Sequence, residues 1–185
     1  MNILEKLAEN PIIAAIRSDR DLTAAWDAPP PVWFLLNANI LTLPGQIEAA
    51  HRCGKSVFVH LDLAEGLGKD HAGTAYLSRL GADGVISTRS SVIRSAKLCG
   101  LCAVQRFFMV DSHSVATAAE SIHTAQPDLV ELMPGIIPKV VQRFSAECDV
   151  PVIAGGLIDS KSEILAALRA GAAAVSTGDH RLWSE

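Results

Sequence analysis

The 185-residue chain is 49% hydrophobic but only 5% aromatic, and carries a formal net charge of -4. That length points to one domain, residues 1–185, with a Val-, Ile-, Leu- and Ala-built core suited to parallel strands covered by helices. A mildly acidic chain has no global attraction to nucleic acid or anionic membranes, and no run approaches the roughly 20 apolar residues that cross a bilayer, so a cytoplasmic protein without membrane contact is expected.

The opening Met1-Asn2-Ile3-Leu4-Glu5-Lys6 places charge where a signal core would be apolar. Short apolar runs then follow at 12–16, 32–36, 57–61, 84–87, 102–107, 129–132, 152–154 and 173–176, each leading into polar residues and a helical pattern. The stretch Pro29-Pro30-Pro31 before the second run reads as a stiff loop. A shared punctuation precedes several strands: Arg52-Cys-Gly54, Arg79-Leu-Gly81, Lys97-Leu-Cys-Gly100 and Arg169-Ala-Gly171. The cation suits the negative helix end and the glycine takes the left-handed stop. Helix starts are marked by the capping box Ser160-Lys-Ser-Glu163 and by Ser114 as a cap for the segment carrying Val115, Ala118, Ala119 and Ile122.

Eight such units predict a compact parallel (β/α)8 TIM-type barrel, shorter than the usual length of about 250 residues. An open doubly wound sheet would show a Gly-rich phosphate turn after its first strand, where this chain has Arg17-Ser18-Asp19. Cys99-Gly-Leu-Cys102 is formally a C-x-x-C, but Gly100 reads as a helix stop with Cys102 already in the next strand, so no redox pair is expected.

In a barrel the loops after the strand C-termini form the functional face. That geometry selects Arg17, Asn37, Asn39, His60, Asp62, Glu65, Arg89, Gln105, Arg106, Asp111-Ser112, Glu131, Gly155-Gly156 and Ser176-Thr177-Gly178. The loops after strands seven and eight are a frequent phosphate cradle, because glycines let backbone N–H groups approach the anion and hydroxyls donate beside them. Gly155, Gly156, Ser176 and Thr177 fit in place and in type. Asp62 and Glu131 either meet a ligand, as hydrogen-bond acceptors or acid/base groups, or pair with Arg17, Arg89 or Arg106; both readings stay open. Arg89, at a helix start, opposes the macrodipole and would welcome an anion. His60 has no partner at metal-ligand spacing, and no lysine falls at a predicted strand end to form a Schiff base. Neither a metal site, a cofactor nor a catalytic residue is therefore assigned.

Taken together, the strand-end phrases resemble the glycerol-3-phosphate-responsive antiterminator family. The matching stretches are Pro11-Ile-Ile-Ala-Ala15, Val59-His-Leu-Asp-Leu-Ala-Glu-Gly-Leu67, Asp83-Gly-Val-Ile-Ser-Thr-Arg-Ser-Ser91, Val104-Gln-Arg106, Asp111-Ser112, Glu131-Leu-Met-Pro-Gly-Ile-Ile-Pro-Lys139, Ile153-Ala-Gly-Gly-Leu-Ile158, Val175-Ser-Thr177 and Leu182-Trp183. The resemblance implies a non-enzymatic regulator of glycerol-uptake genes that senses glycerol 3-phosphate and acts on leader mRNA to prevent termination. It also implies a ligand pocket or pocket wall of His60, Asp62, Glu65, Arg89, Gln105, Arg106, Glu131, Gly155, Gly156, Ser176 and Thr177; on chemical grounds the last four are expected to face the phosphate, and Asp62 or Glu131 the glycerol hydroxyls. Two positions depart from the family pattern: Arg17 replaces a lysine, and Asn37-Ala38-Asn39 replaces a Gly-Asp pair. A barrel isomerase or hydrolase acting on a phosphorylated polyol, with Asp62 and Glu131 as acid and base, is the competing reading. A metabolite-binding module signalling through a protein partner is the third, and assembly into homo-oligomers is left open.

Overall fold

Runs of β-branched and aliphatic residues buried on both faces suit interior strands of a covered sheet, and the barrel is built from eight of them, six buried at every position and two, the fifth and sixth, emerging at their ends. They are β1 (Ile12–Ile16), β2 (Val32–Leu35), β3 (Ser56–His60), β4 (Gly84–Ser87), β5 (Cys102–Phe108), β6 (Leu129–Met133), β7 (Val152–Gly155) and β8 (Ala174–Thr177). Each is parallel to its neighbour, and β8 pairs with β1 to close the ring. The computed structural model describes residues 2–184, with every side chain among them except that of Ser112; Met1 and Glu185, the ends of the predicted domain, lie outside the described residues.

The helices are α1 (Ile3–Glu9), α2 (Asp19–Ala25), α3 (Leu43–Arg52), α4 (His71–Arg79), α5 (Ser90–Leu98), α6 (Ser112–Ala125), α7 (Pro138–Glu147) and α8 (Lys161–Arg169). The four predicted stop glycines, Gly54, Gly81, Gly100 and Gly171, have φ between +73° and +101°, the left-handed conformation that ends a helix without a Cβ clash. Ser160 and Glu163 form the expected capping box. At α6 the cap lies three residues earlier than the sequence suggests: the Asp111 carboxylate accepts from the Ser114 N–H at 2.8 Å, and Ser114 Oγ in turn accepts from the Asp111 N–H at 3.2 Å. A carboxylate also suits the positive helix end better than a hydroxyl. The proline run is fastened by Lys55 Nζ, which donates to the carbonyls of Ala28 and Pro30.

Two features explain how the barrel closes in so short a chain. Among the described residues, β8 is followed by a 3-10 turn, His180–Leu182, and by Trp183, which is 1% exposed and donates its indole N–H to the Thr177 carbonyl at 2.9 Å. The chain opens with α1, which lies outside the repeat and was not predicted. Its capping box joins Asn2 to Glu5, and Lys6 Nζ donates to Ser56 Oγ at 2.8 Å. Leu7 enters the lumen cluster with Ile13, Val32, Phe34, Phe58, Ile86, Val104, Leu129, Ile153 and Ala174.

If α1 closes the lower end of the lumen, Leu7→Ala leaves a cavity there and lowers the unfolding free energy by about 2–5 kcal/mol in urea titration. A loss below about 1 kcal/mol would show that the lumen does not depend on it.

Candidate functional site

Side chains alternate between the lumen and the helix layer along each strand. Two residues beyond the apolar lumen residues Phe58, Val104, Leu129 and Ala174, the same face carries His60, Arg106, Glu131 and Ser176. This upper lumen layer is polar yet 1–7% exposed. Arg106 Nε donates to Glu131 Oε2 at 2.6 Å, and Ser176 Oγ donates to Oε1 at 2.6 Å. A Cβ at residue 155 would stand 2.5 Å from both Glu131 Oε1 and Ser176 Oγ, so the glycine is required by these side chains as much as by any ligand.

Glu131 therefore has both oxygens engaged inside the protein, and its pairing with Arg106 resolves which of the three sequence candidates it meets. Arg106 is bound through Nε alone; its terminal amino groups have no hydrogen-bond partner among the described residues. His60, 4% exposed, has no hydrogen-bond partner at either ring nitrogen, and Asp62 Oδ2, at 3.8 Å from Nε2, is beyond hydrogen-bond range. Burial, reinforced by the Arg106 charge, pushes its pKa down to about 4, so the ring is neutral at pH 7.

Asp62 is likewise engaged. Its oxygens accept from Ser87 Oγ at 2.6 Å, the Thr88 N–H at 2.7 Å and Thr88 Oγ1 at 2.8 Å. Burial alone would raise its pKa, but these hydrogen bonds outweigh it and hold the carboxyl below its ordinary value. Arg89 Nε approaches to 3.9 Å, with its side chain 57% exposed and its backbone at the N-cap of α5. Glu65 accepts from the Asn39 carboxamide at 2.8 Å, so the amide at position 39 joins two loops where a second carboxylate would repel. Gln105 and Thr177 lie apart from the lumen. Gln105 sits behind the wall, donating to Ser90 at 3.1 Å and Ser121 at 2.8 Å, and Thr177 Oγ1 donates to the Ile158 carbonyl at 2.9 Å.

The structure adds one residue to the predicted phosphate cradle. A Cβ at Gly178 would stand 2.4 Å from an Arg17 terminal nitrogen, so the guanidinium lies directly against the backbone leaving β8. Arg17 is exposed and has no ion-pair partner among the described residues. It lines a cavity of about 330 Å³ with Ser18, Asn37 and Gln46. Sequence reasoning placed Arg17 at a strand end without assigning it to the phosphate; the cue was a glycine at the facing end of the neighbouring strand. After β7, Gly156 (φ +78°) and Leu157 (φ +61°) are both left-handed. For leucine that conformation costs roughly 1–2 kcal/mol. The 3-10 turn after β8 is already capped by its own Asp179, which accepts from the Arg181 N–H at 3.0 Å.

Around this mouth stand exposed apolar side chains from successive loops: Leu41, Leu63, Phe108, Val110, Ile136, Ile137 and Leu157. A larger cavity of about 620 Å³ lies at the opposite mouth, but the carboxylates there have partners: Asp83 is hydrogen-bonded to His51 at 2.9 Å, and Asp128 is paired with Lys97 at 2.8 Å. Among the described residues no group of three His, Cys, Asp or Glu is placed to hold a metal. The cysteines are free, and burial pushes the Cys102 thiol up to about 12.

A family model described as glycerol-3-phosphate responsive antiterminator matches residues 12–183. A crystal structure of a glycerol uptake operon antiterminator regulatory protein from Listeria monocytogenes superposes with a TM-score of 0.90 at 35% identity, covering 94% of this chain and 95% of that one. A glycerol uptake operon antiterminator-related protein from Thermotoga maritima gives 0.83 at 35% identity, covering 93% and 96%. The uncharacterized protein YgcP of Escherichia coli is 32% identical across all of this chain and 97% of its own. Deoxyribose phosphate aldolase from Aeropyrum pernix, with a TM-score of 0.69 at 17% identity over 96% of this chain and 88% of that one, shares the fold alone.

His60 supplies a test of the site's electrostatics. Its folded pKa, about 4, lies below the ordinary value of 6.5, so the unfolded chain binds the extra proton as pH falls between them and stability is lost in that window. Wild type should lose about 2 kcal/mol relative to His60→Gln between pH 6.5 and 5 in paired urea titrations. A constant gap between the two proteins would mean that His60 is not held neutral.

Proposed function

The chain belongs to the glycerol-3-phosphate responsive antiterminator family, and from that premise we propose that it senses glycerol 3-phosphate at the C-terminal mouth of the barrel and acts on the leader mRNA of glycerol-utilisation genes. The family is one of regulators, and the engagement of Asp62 and Glu131 by neighbouring side chains fits that role. A carboxylate whose oxygens are already hydrogen-bonded is poorly placed to exchange protons with a substrate.

The observation that carries the ligand assignment is the Arg17 guanidinium lying against Gly178, just beyond β8, the strand that pairs Ser176 with Gly155 of β7. It brings an uncompensated cation to a glycine-lined strand end, the chemistry a phosphate monoester requires. Arginine in place of lysine offers a planar, two-pronged donor set there. The polyol end of the ligand then points into the lumen, toward His60 and Arg106. For RNA, the support is the collar around the mouth. Exposed Phe108 and neighbouring apolar side chains offer faces on which unpaired bases stack, and the exposed Arg89 and Arg94 offer phosphate contacts. Ligand and RNA would meet on one face, which gives occupancy of the mouth a direct route to the RNA surface.

Calorimetric titration should show saturable binding of glycerol 3-phosphate that exceeds binding of glycerol or inorganic phosphate, with Arg17→Ala weakening it by about tenfold or more. Absence of binding at millimolar ligand would remove glycerol 3-phosphate as the effector.

Leader RNA should be retained in a salt-sensitive manner, and Phe108→Ala should weaken retention by about fivefold or more without altering metabolite affinity. Retention that is indifferent to salt and to Phe108 would place the RNA surface elsewhere.

A further inference from the structure

The upper lumen layer has an unusual imbalance of donors and acceptors. Arg106, 7% exposed, offers four N–H groups on its terminal nitrogens and can accept nothing. The carboxylates nearby are already engaged. Glu131 takes Arg106 Nε and Ser176 Oγ, and Asp62 takes Ser87 and Thr88. Gln105 Oε1 is unpartnered but lies behind the barrel wall with Ser90 and Ser121. Among the described side chains of this layer, Ser176 Oγ donates to Glu131 and keeps its lone pairs, whereas His60 has no partner at all: one ring nitrogen is an unused acceptor and the other an unused donor.

A buried polar group without a partner is costly, and an imidazole lacking partners at both nitrogens is doubly so. The group that matches this set is a hydroxyl. Its oxygen accepts from an Arg106 amino group, and its proton goes to the bare nitrogen of His60, the side chain of this layer that has no partner. A second phosphate would satisfy Arg106 but offers a neutral imidazole no proton when fully ionised, and an apolar end would satisfy neither residue.

We propose that His60 and Arg106 jointly read a hydroxyl of the phosphorylated ligand, which makes His60 a specificity-determining residue for polyol phosphates. This assignment rests on the ligand reading above and revises the sequence expectation that Asp62 or Glu131 meets the hydroxyls. Those carboxylates are positioning residues: Glu131 aims Arg106, and Asp62 holds the end of β4. The low basicity of the ring is consistent with the role, because a protonated imidazole would have no lone pair to offer.

The test compares glycerol 3-phosphate with its two singly deoxygenated analogues, 2-hydroxypropyl phosphate and 3-hydroxypropyl phosphate, by calorimetry. Wild type should prefer glycerol 3-phosphate over one of them by about tenfold or more. His60→Leu should bring that ratio close to one by weakening glycerol 3-phosphate while leaving the less favoured analogue within about twofold. His60→Gln, which keeps a donor and an acceptor, should retain part of the preference. Titration of the wild-type protein carrying 15N-labelled histidine reports independently of whether the leucine variant folds. The His60 ring nitrogens should shift with glycerol 3-phosphate and not with the analogue lacking the recognised hydroxyl. An unchanged ratio in folded His60→Leu, equal weakening of all three ligands, or an indifferent His60 resonance overturns the assignment while leaving the effector reading intact. Failure of wild type to bind glycerol 3-phosphate at all overturns the effector reading, and this assignment with it.

Discussion

A carboxylate that is 1% exposed stays ionised only where donors replace the water it has lost. Glu131 meets that demand with a charged donor from β5 and a hydroxyl from β8, so three strands are tied at the level where the lumen changes from apolar to polar. Such a pair adds little net stability, since desolvation of both ions cancels much of their attraction. Its effect is geometric. Arg106 is held by its Nε and so presents its terminal nitrogens in a fixed direction, and Gly155 must be glycine because the bonded pair occupies the space a methyl group would need.

The same logic runs through the loops. Asp62 collects three donors from Ser87 and Thr88 and thereby shapes the entry to α5, while Glu65 and Asn39 join the loops after β2 and β3. The carboxylates of Asp62, Glu65 and Glu131 at the strand ends are thus engaged in internal order. Cationic and neutral donors remain, at Arg17, at the free end of Arg106 and at His60. A face assembled this way suits the proposed oxygen-rich, anionic ligand even though the whole chain carries a net charge of -4.

The eight strands were legible because each is a short aliphatic run bracketed by turn chemistry, and the helix stops because a glycine after a cation has few other uses. The first helix was less legible. Its seven residues hold only Ile3, Leu4, Leu7 and Ala8 as apolar members, and it stands outside the βα repeat, although Asn2 and Glu5 spell its capping box. At the site, residue types were readable but partners were not. Glu131 could have met any of three arginines until the pairing register set Arg106 opposite it. Gln105 and Thr177 illustrate the period of two: each is one residue from a lumen position, and one step turns a side chain to the other face of the sheet. Counting by twos from Val104 and from Ala174 would have separated Arg106 from Gln105 and Ser176 from Thr177.

The two mouths of the barrel share one backbone architecture and differ in what their charges do. At the lower mouth Lys6 is bound to Ser56 and the Gly54 carbonyl, Asp83 to His51, and Asp128 to Lys97, while Leu7 reaches the lumen. These contacts close an end and leave little polar capacity for a ligand. At the upper mouth the carboxylates are satisfied by neighbours, yet the buried His60 imidazole is left without a partner at either nitrogen and an arginine lies across a glycine. An unpaired buried donor is a standing cost to the folded state, tolerable where a ligand supplies the missing acceptor. This chain's own hydrogen-bond inventory therefore supports the proposed location of the site at the strand C-termini, independently of the habit of barrel proteins to bind ligands there.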